Sequence, residues 1–191
     1  MKLISFYTKD TPYEDLALHY RASALEVGLE PIIYPVENLG VWAHNCNQKA
    51  AVLYRAYLEY PNDRILYTDI DARFEKYPTD IENHAEDFDI GFHMLRGEEL
   101  LSGTLVFDHT YKACLLLRKW VYITKHHLST WDQKILQRVV QANSIKVYHL
   151  DPAHCYIFDI SRRLHPKVKP VIIHHQISRK YRRIINEAGK V

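Results

Sequence analysis

"RILYTDIDARFEKYP", residues 64–78, is the stretch on which the fold turns. An apolar run, Ile65-Leu66-Tyr67, leads directly to two acids, Asp69 and Asp71, one residue apart. Such a run bounded by polar residues marks a buried strand. In an extended segment residues two apart project to the same side, so the carboxylates are expected to converge at the strand's end. Two carboxylates at one point need a cation. Hard divalent ions such as Mg²⁺ and Mn²⁺ take oxygen ligands and are completed by substrate phosphates, so the pair suggests a metal bridging the protein to a diphosphate. The plain alternative is a solvated loop after a strand, because a D-x-D pattern alone is weak.

Working outward, strand-like runs alternate with helical patterns, the mark of a three-layer α/β/α domain built from βαβ units. Strands are expected at 2–8, 31–36, 64–70, 88–95, 102–109, 145–150 and 170–175. A helix is expected from Pro12 to the stop at Gly28, and another over residues 47–60, closed by Pro61-Asn62, after a loop at 37–47. Further helices are expected from about Tyr111 to His127 and over 129–142, the second capped by Ser129 or Thr130. No repeat, low-complexity tract or linker divides the chain, so residues 1–191 are expected to form one domain.

Composition excludes several classes. The 191 residues are 47% hydrophobic and 25% charged, an ordinary globular balance. Lys plus Arg is 25 against 23 for Asp plus Glu, a net charge of +2, which argues against a dedicated nucleic-acid binder and leaves a small anionic partner open. Cys46, Cys114 and Cys155 share no ligand spacing and read as incidental thiols in a reducing compartment. No apolar run reaches the ~20 residues of a membrane span, so the cytoplasm is the expected location.

Five segments in order carry a resemblance. "RILYTDIDARF" resembles the D-x-D segment of GT-A glycosyltransferases, and "QKAAVLYRAYLEYPNDRILYTDID" resembles the helix that precedes it there. Downstream, "LLSGTLVFDHT" resembles that family's small-residue strand, "STWDQKILQ" its D-Q helix, and "IIHHQISRK" its C-terminal histidine segment. The likeness implies a GT-A (nucleotide-diphospho-sugar transferase) fold with a mostly parallel mixed sheet. It also implies transfer of a sugar from a nucleotide donor, UDP in the usual case, with Mn²⁺ or Mg²⁺, onto an acceptor that is a glycan, a protein or a lipid-linked group. Two departures are Leu101, where relatives carry Asn, and Ile177, where they carry Gly.

Carried over position by position, the resemblance makes Asp71 the main metal ligand, with Asp69 sharing the ion or a ribose hydroxyl. His174 or His175 closes the site, and the spacing to Lys180 favours His174. Lys180 or Arg179 neutralises the pyrophosphate, while Arg182 and Arg183 read as a solvated basic face. Ser102 and Gly103 let backbone approach the donor sugar, which is where a site needs glycine. Asp132 and Gln133 are brought to the reacting sugar, although an acid at a helix start is also explained by the helix dipole. Lys49 contacts the donor; Arg55 suits a surface ion pair. Tyr7, Thr8 and Asp10 follow the first strand, at the carboxyl edge where α/β sheets bind ligands, and cradle base and ribose. Trp42, Asn45 and Asn47 line the sugar pocket, or serve as loop anchor and helix cap. Retention of configuration is hinted at by the D-Q helix. Competing readings are a non-catalytic nucleotide-sugar or glycan binder and a D-x-D phosphatase; the phosphatase expects Thr or Val where Arg73 stands.

Overall fold

The computed structural model describes residues 1–178, 180–182 and 185. In chain order the elements are β1 (Lys2–Thr8), α1 (Tyr13–Glu26), β2 (Pro31–Val36), α2 (Trp42–Glu59), β3 (Ile65–Thr68), β4 (Ala72–Phe74) and α3 (Thr79–Glu82). These are followed by β5 (Ile90–Leu95), β6 (Glu99–Phe107), α4 (Tyr111–His126), α5 (Asp132–Gln141), β7 (Val147–His149), a 3₁₀ turn (Pro152–Cys155), β8 (Tyr156–Ile157), α6 (Phe158–Leu164) and β9 (Ile172–His174).

The main sheet runs β2-β1-β3-β6-β5-β7, and β6 alone is antiparallel to its neighbours. Strand alternation sorts its side chains into two cores. Ile4, Ile65, Tyr67, Leu105 and Phe107 face α2, α4 and α5, whereas Leu3, Leu66 and Val106 face α1 and a second, small sheet. Each fully buried aliphatic side chain is worth about 1.5–3 kcal/mol. An acid at Leu66, which is 0% exposed, would strand a charge between the layers. The expected α/β/α layering around a mostly parallel mixed sheet is therefore the observed one.

Strand direction places the site. Because β6 is reversed, its first half passes the carboxyl end of β3: Thr104 pairs with Thr68, and the next ladder bond runs from Asp69 N–H to the Gly103 carbonyl at 2.8 Å. The small sheet, β4-β9-β8, brings in the distant C-terminal segment, with His174 registered opposite Ala72.

Of the differences from expectation, two helix starts bear on the site. Helix α2 begins at Trp42, so Trp42, Asn45 and Asn47 are helical, not in a loop. The reason is that polar side chains of its first turns tie down the preceding segment: Asn45 Oδ1 accepts from Leu39 N–H at 2.8 Å, and Gln48 donates to the Glu37 carbonyl at 2.9 Å. Asn47 does not cap; its amide donates to the Thr130 carbonyl at 3.1 Å. Helix α5 has Trp131 at its N-cap, and neither Ser129 nor Thr130 caps it. No helix among the described residues is long and apolar enough to cross a membrane.

Candidate functional site

Asp69 and Asp71 do converge, but by a turn and not by strand alternation. Strand β3 ends at Thr68, and Ala72 N–H bonds the Asp69 carbonyl at 2.9 Å, closing a β-turn over residues 69–72. Ile70 is buried in the core at the turn's centre, which leaves the two carboxylates on the other side. Ligand atoms of Asp69, Asp71 and His174 lie within 4.8 Å of one another.

Hydrogen bonding decides which atom of each residue is available. Asp69 Oδ1 is held by the Tyr67 hydroxyl at 2.7 Å and by Lys49 Nζ at 3.0 Å, leaving Oδ2 free. Asp71 Oδ2 accepts the Ile177 N–H at 3.0 Å, leaving Oδ1 facing His174 Nδ1 at 3.9 Å. That distance is too long for a hydrogen bond but suits two atoms sharing one ion at ~2.1 Å each. The Thr104 hydroxyl donates its single proton to the His154 carbonyl at 2.7 Å, so at 2.8 Å it must accept from His174 Nε2–H. Neutral His174 therefore presents the Nδ1 lone pair to the acids. Gly103 keeps this space open: a Cβ there would lie 3.1 Å from His174 Nδ1 and Cε1 and 3.5 Å from Asp69 Oδ2. Two carboxylate oxygens and one imidazole nitrogen form a donor set that fits Mn²⁺ or Mg²⁺.

A second network adjoins the first. Lys49, 4% exposed, pairs with Asp132 Oδ2 at 2.9 Å as well as with Asp69, and donates to the Ser102 carbonyl and hydroxyl at 3.2 and 3.1 Å. The Ser102 hydroxyl bonds Asp132 at 3.0 Å, and Gln133 Oε1 accepts the Ser102 N–H at 3.2 Å while its amide reaches Glu99 at 2.6 Å. One buried cation thus holds acids from β3's end and α5's start, which explains why both are tolerated.

Charge states follow from this packing. Burial opposes the Lys49 charge, but Asp132 and Asp69 outweigh it and raise its pKa. Burial also pushes the Asp69 carboxyl up, against the pull of Lys49. For Asp71 the burial cost is outweighed by His174 and the Ile177 N–H, and its pKa is lowered. Burial disfavours imidazolium at His174, yet Cys155 and Asp71 beside it lift its pKa to about 10.

These residues line one cleft of about 210 Å³, together with Tyr7, Thr8, Ser102, Gly103, Asp132 and Gln133. Asp10 is not in the lining: it sits in a left-handed turn (φ 55°), its N–H bonded to Glu14. Lys180 is also outside the lining, exposed with its ammonium 5.9 Å from the Tyr181 ring. Arg179 and Arg183 lie outside the described residues. Arg55 pairs with Glu59 on the surface at 2.6 Å. His175 is exposed and stacks on Phe158, so of the two histidines only His174 joins the acids. Arg182, read as solvated, lies over Trp42 at 5.0 Å. Sequence reasoning missed Thr104, Tyr67 and Cys155. The first is legible only through β6 register, and Cys155, which lines the cleft beside His174, only through the 3₁₀ turn.

The sequence matches no protein-family profile and no curated protein. Solved structures do resemble it. A glycosyltransferase involved in glycosylation of the major capsid of PBCV-1 superposes with a TM-score of 0.72 at 12% identity, covering 100% of this chain and 99% of that one. The glycosyltransferase GlyE of Streptococcus pneumoniae TIGR4 gives 0.64 at 15% identity, with all of this chain matched to 61% of GlyE. The galactosyltransferase LgtC, in complex with donor and acceptor sugar analogues, gives 0.57 at 12% identity, covering 100% and 95%. At such identities the likeness is one of fold, and the fold is GT-A.

Proposed function

We propose that this chain is a metal-dependent glycosyltransferase that moves a hexosyl group from a nucleotide diphosphate donor, UDP-linked, to an acceptor. The observation that carries it is the convergence of three ligand atoms, Asp69 Oδ2, Asp71 Oδ1 and His174 Nδ1, around a space that the missing Cβ of Gly103 keeps open. The fold, shared with solved glycosyltransferases, supports the same reading.

When bound, Mn²⁺ or Mg²⁺ supplies Lewis-acid stabilisation to the departing diphosphate. The chain's own residues do the positioning, which is most of what such a transfer asks of a protein. Tyr7 and Thr8, at the carboxyl edge of β1, hold base and ribose. Ser102 and Gly103 admit the donor sugar, and Lys49 holds Asp132 fixed beside it. Gln133, pinned between Ser102 and Glu99, faces the same space with a fixed side-chain amide. Lys180 and Asp10 contribute, in this proposal, only if the segments bearing them close over the nucleotide.

The test is a panel of UDP-, GDP- and ADP-sugars with Mn²⁺, following nucleoside diphosphate release and heat of binding together. Release from a UDP-sugar, abolished by EDTA, is the expected result. Heat without release in the presence of saccharide, peptide and lipid-linked acceptors favours a non-catalytic nucleotide-sugar binder. Neither heat nor release refutes the proposal.

A further inference from the structure

Charge is not spread evenly over this chain. Between residues 109 and 141 six Lys/Arg stand against one acid, Asp132, while acids outnumber cations in the rest of the sequence. Asp132 is buried against Lys49, so it does not offset the six at the surface. All six are exposed: Lys112, Arg118, Lys119 and Lys125 on α4, Lys134 and Arg138 on α5. None of them joins an ion pair among the described residues. Lys112 and Lys119 reach only neutral groups, the Ser144 carbonyl at 2.8 Å and the Asn143 side-chain oxygen at 3.5 Å. Helical spacing sets the rest of this face. Helix α4 buries Ala113, Leu116, Leu117, Trp120 and Thr124, so the i, i+4, i+7, i+11 line of Tyr111, Leu115, Arg118 and Tyr122 runs along its outermost edge. Tyr111, Leu115 and Tyr122 are 78%, 41% and 65% exposed. The core face of α4 is already covered, so an apolar line flanked by unpaired cations is not needed for folding.

We infer that the outer face of α4, widened by α5 beside it, docks on an anionic phospholipid surface. Cations near such a surface are attracted by its negative potential, and each contributes separately. A tyrosine suits the head-group boundary, with its ring among the acyl carbons and its hydroxyl in the wet layer, and an exposed leucine gains by leaving water. Other occupants fit less well. A second copy seated on the same face would bring two sets of cations together. A nucleic acid would set its phosphates against the apolar crest, where nothing is gained, and meet cations only at the sides. The docking is peripheral, because no helix among the described residues is long and apolar enough to cross a membrane. Placement gives it a consequence. Helix α4 follows the end of β6, where Phe107 pairs with Ile65 at the amino end of β3, away from the cleft. Its far end leads to Trp131, which lines the cleft. The docked face therefore runs up to the cleft, and docking holds the cleft close to lipid head groups. Neither the metal nor the donor enters this inference, so it stands apart from the transferase reading.

The experiment sediments the full chain, in EDTA, with vesicles of phosphatidylcholine alone and with vesicles containing ~30% phosphatidylglycerol, at about 0.1 M salt. Partition onto the anionic vesicles should exceed that onto the neutral ones at least about tenfold, and should fall steeply at about 0.5 M salt. Reversing Arg118, Lys119 and Lys125 to Glu should weaken it about 100-fold or more, since each cation near the surface multiplies the partition constant about fivefold. Leu115→Ser with Tyr122→Ser removes only the apolar line and should cost about tenfold. All five positions are exposed, so thermal melts of both variants should match wild type. Equal partition onto neutral and anionic vesicles, or none onto either, overturns the inference. Unaltered partition of the charge-reversed variant assigns the attraction to the basic segment at residues 179–191 and overturns it too. Tighter binding of poly(U) RNA than of anionic vesicles at the same salt makes this a nucleic-acid face, which equally overturns it.

Discussion

Replacing Lys49 with methionine keeps most of the apolar stem of the side chain and removes its charge. In the native protein Lys49 is 4% exposed and its ammonium touches Asp69 at 3.0 Å and Asp132 at 2.9 Å. Losing one partner of a buried ion pair costs about 3–5 kcal/mol, since the remaining charge is left uncompensated. The lower end applies, because Asp69 is 38% open to the cleft and retains the Tyr67 hydroxyl, and Asp132 retains that of Ser102. For a chain of this length ~3 kcal/mol corresponds to a fall in Tm of roughly 6–12 °C. The raised pKa of Lys49 means its contribution is fully present below the ordinary lysine value, so the loss is complete at pH 7. As pH falls and Asp69, whose carboxyl burial pushes up, takes up a proton, the gap between variant and wild type should narrow. Thermal melts and urea titrations at pH 7 and pH 4, in EDTA, measure both effects. Adding Asp132→Asn to Lys49→Met should recover part of the loss, because it removes the stranded charge. A Tm within about 2 °C of wild type at pH 7, or no recovery in the double variant, would show that Lys49 does not neutralise this pair.

Other outcomes follow from the ligand geometry. Gly103→Ala should fold normally yet weaken Mn²⁺ binding about tenfold or more, because its Cβ would press the His174 ring at 3.1 Å; isothermal titration reads it. Thr104→Val removes the acceptor that orients His174 and should cost about 10–100-fold in Mn²⁺ affinity, while Thr104→Ser keeps it. Proton and metal compete for His174 Nδ1, so Mn²⁺ affinity should climb about tenfold per pH unit toward pH ~10. Without metal the sign reverses: the raised His174 pKa stabilises the fold below the ordinary histidine value of about 6.5, and that stability should fade as pH approaches 10. His174→Ala should raise the Mn²⁺ requirement and His175→Ala should not, since His175 is exposed against Phe158.

The sequence made legible those parts of the site that depend on local pattern. The apolar run ending at Asp69 and Asp71, the small residues Ser102-Gly103, the Asp132-Gln133 helix start and the His174 strand were each readable, and the fold brings all of them to one cleft. What could not be read depends on long-range register. Strands β4 and β8 have three and two residues, too few for a period-2 pattern, so the pairing that swings the readable His174 strand onto Asp71 leaves no trace in the sequence. The Lys49–Asp132 pair joins residues 83 positions apart on different helices. The start of α2 was misplaced because Asn45 and Asn47, which favour caps and turns in general, here bond the chain before the helix and the segment before α5. The geometry at Asp69–Ala72 shows a right answer reached by the wrong path: alternation predicted convergence, and a β-turn produces it.

The central claim is that Asp69, Asp71 and His174 hold a divalent ion that ties a nucleoside diphosphate to the sheet edge. Calorimetric titration of UDP into wild-type protein and Asp71→Asn, each with Mn²⁺ and in excess EDTA, tests it most directly. The account predicts binding by wild type with Mn²⁺, and a loss of at least about tenfold in affinity both in EDTA and in the variant with Mn²⁺. Equal affinity for UDP in all four titrations would contradict it.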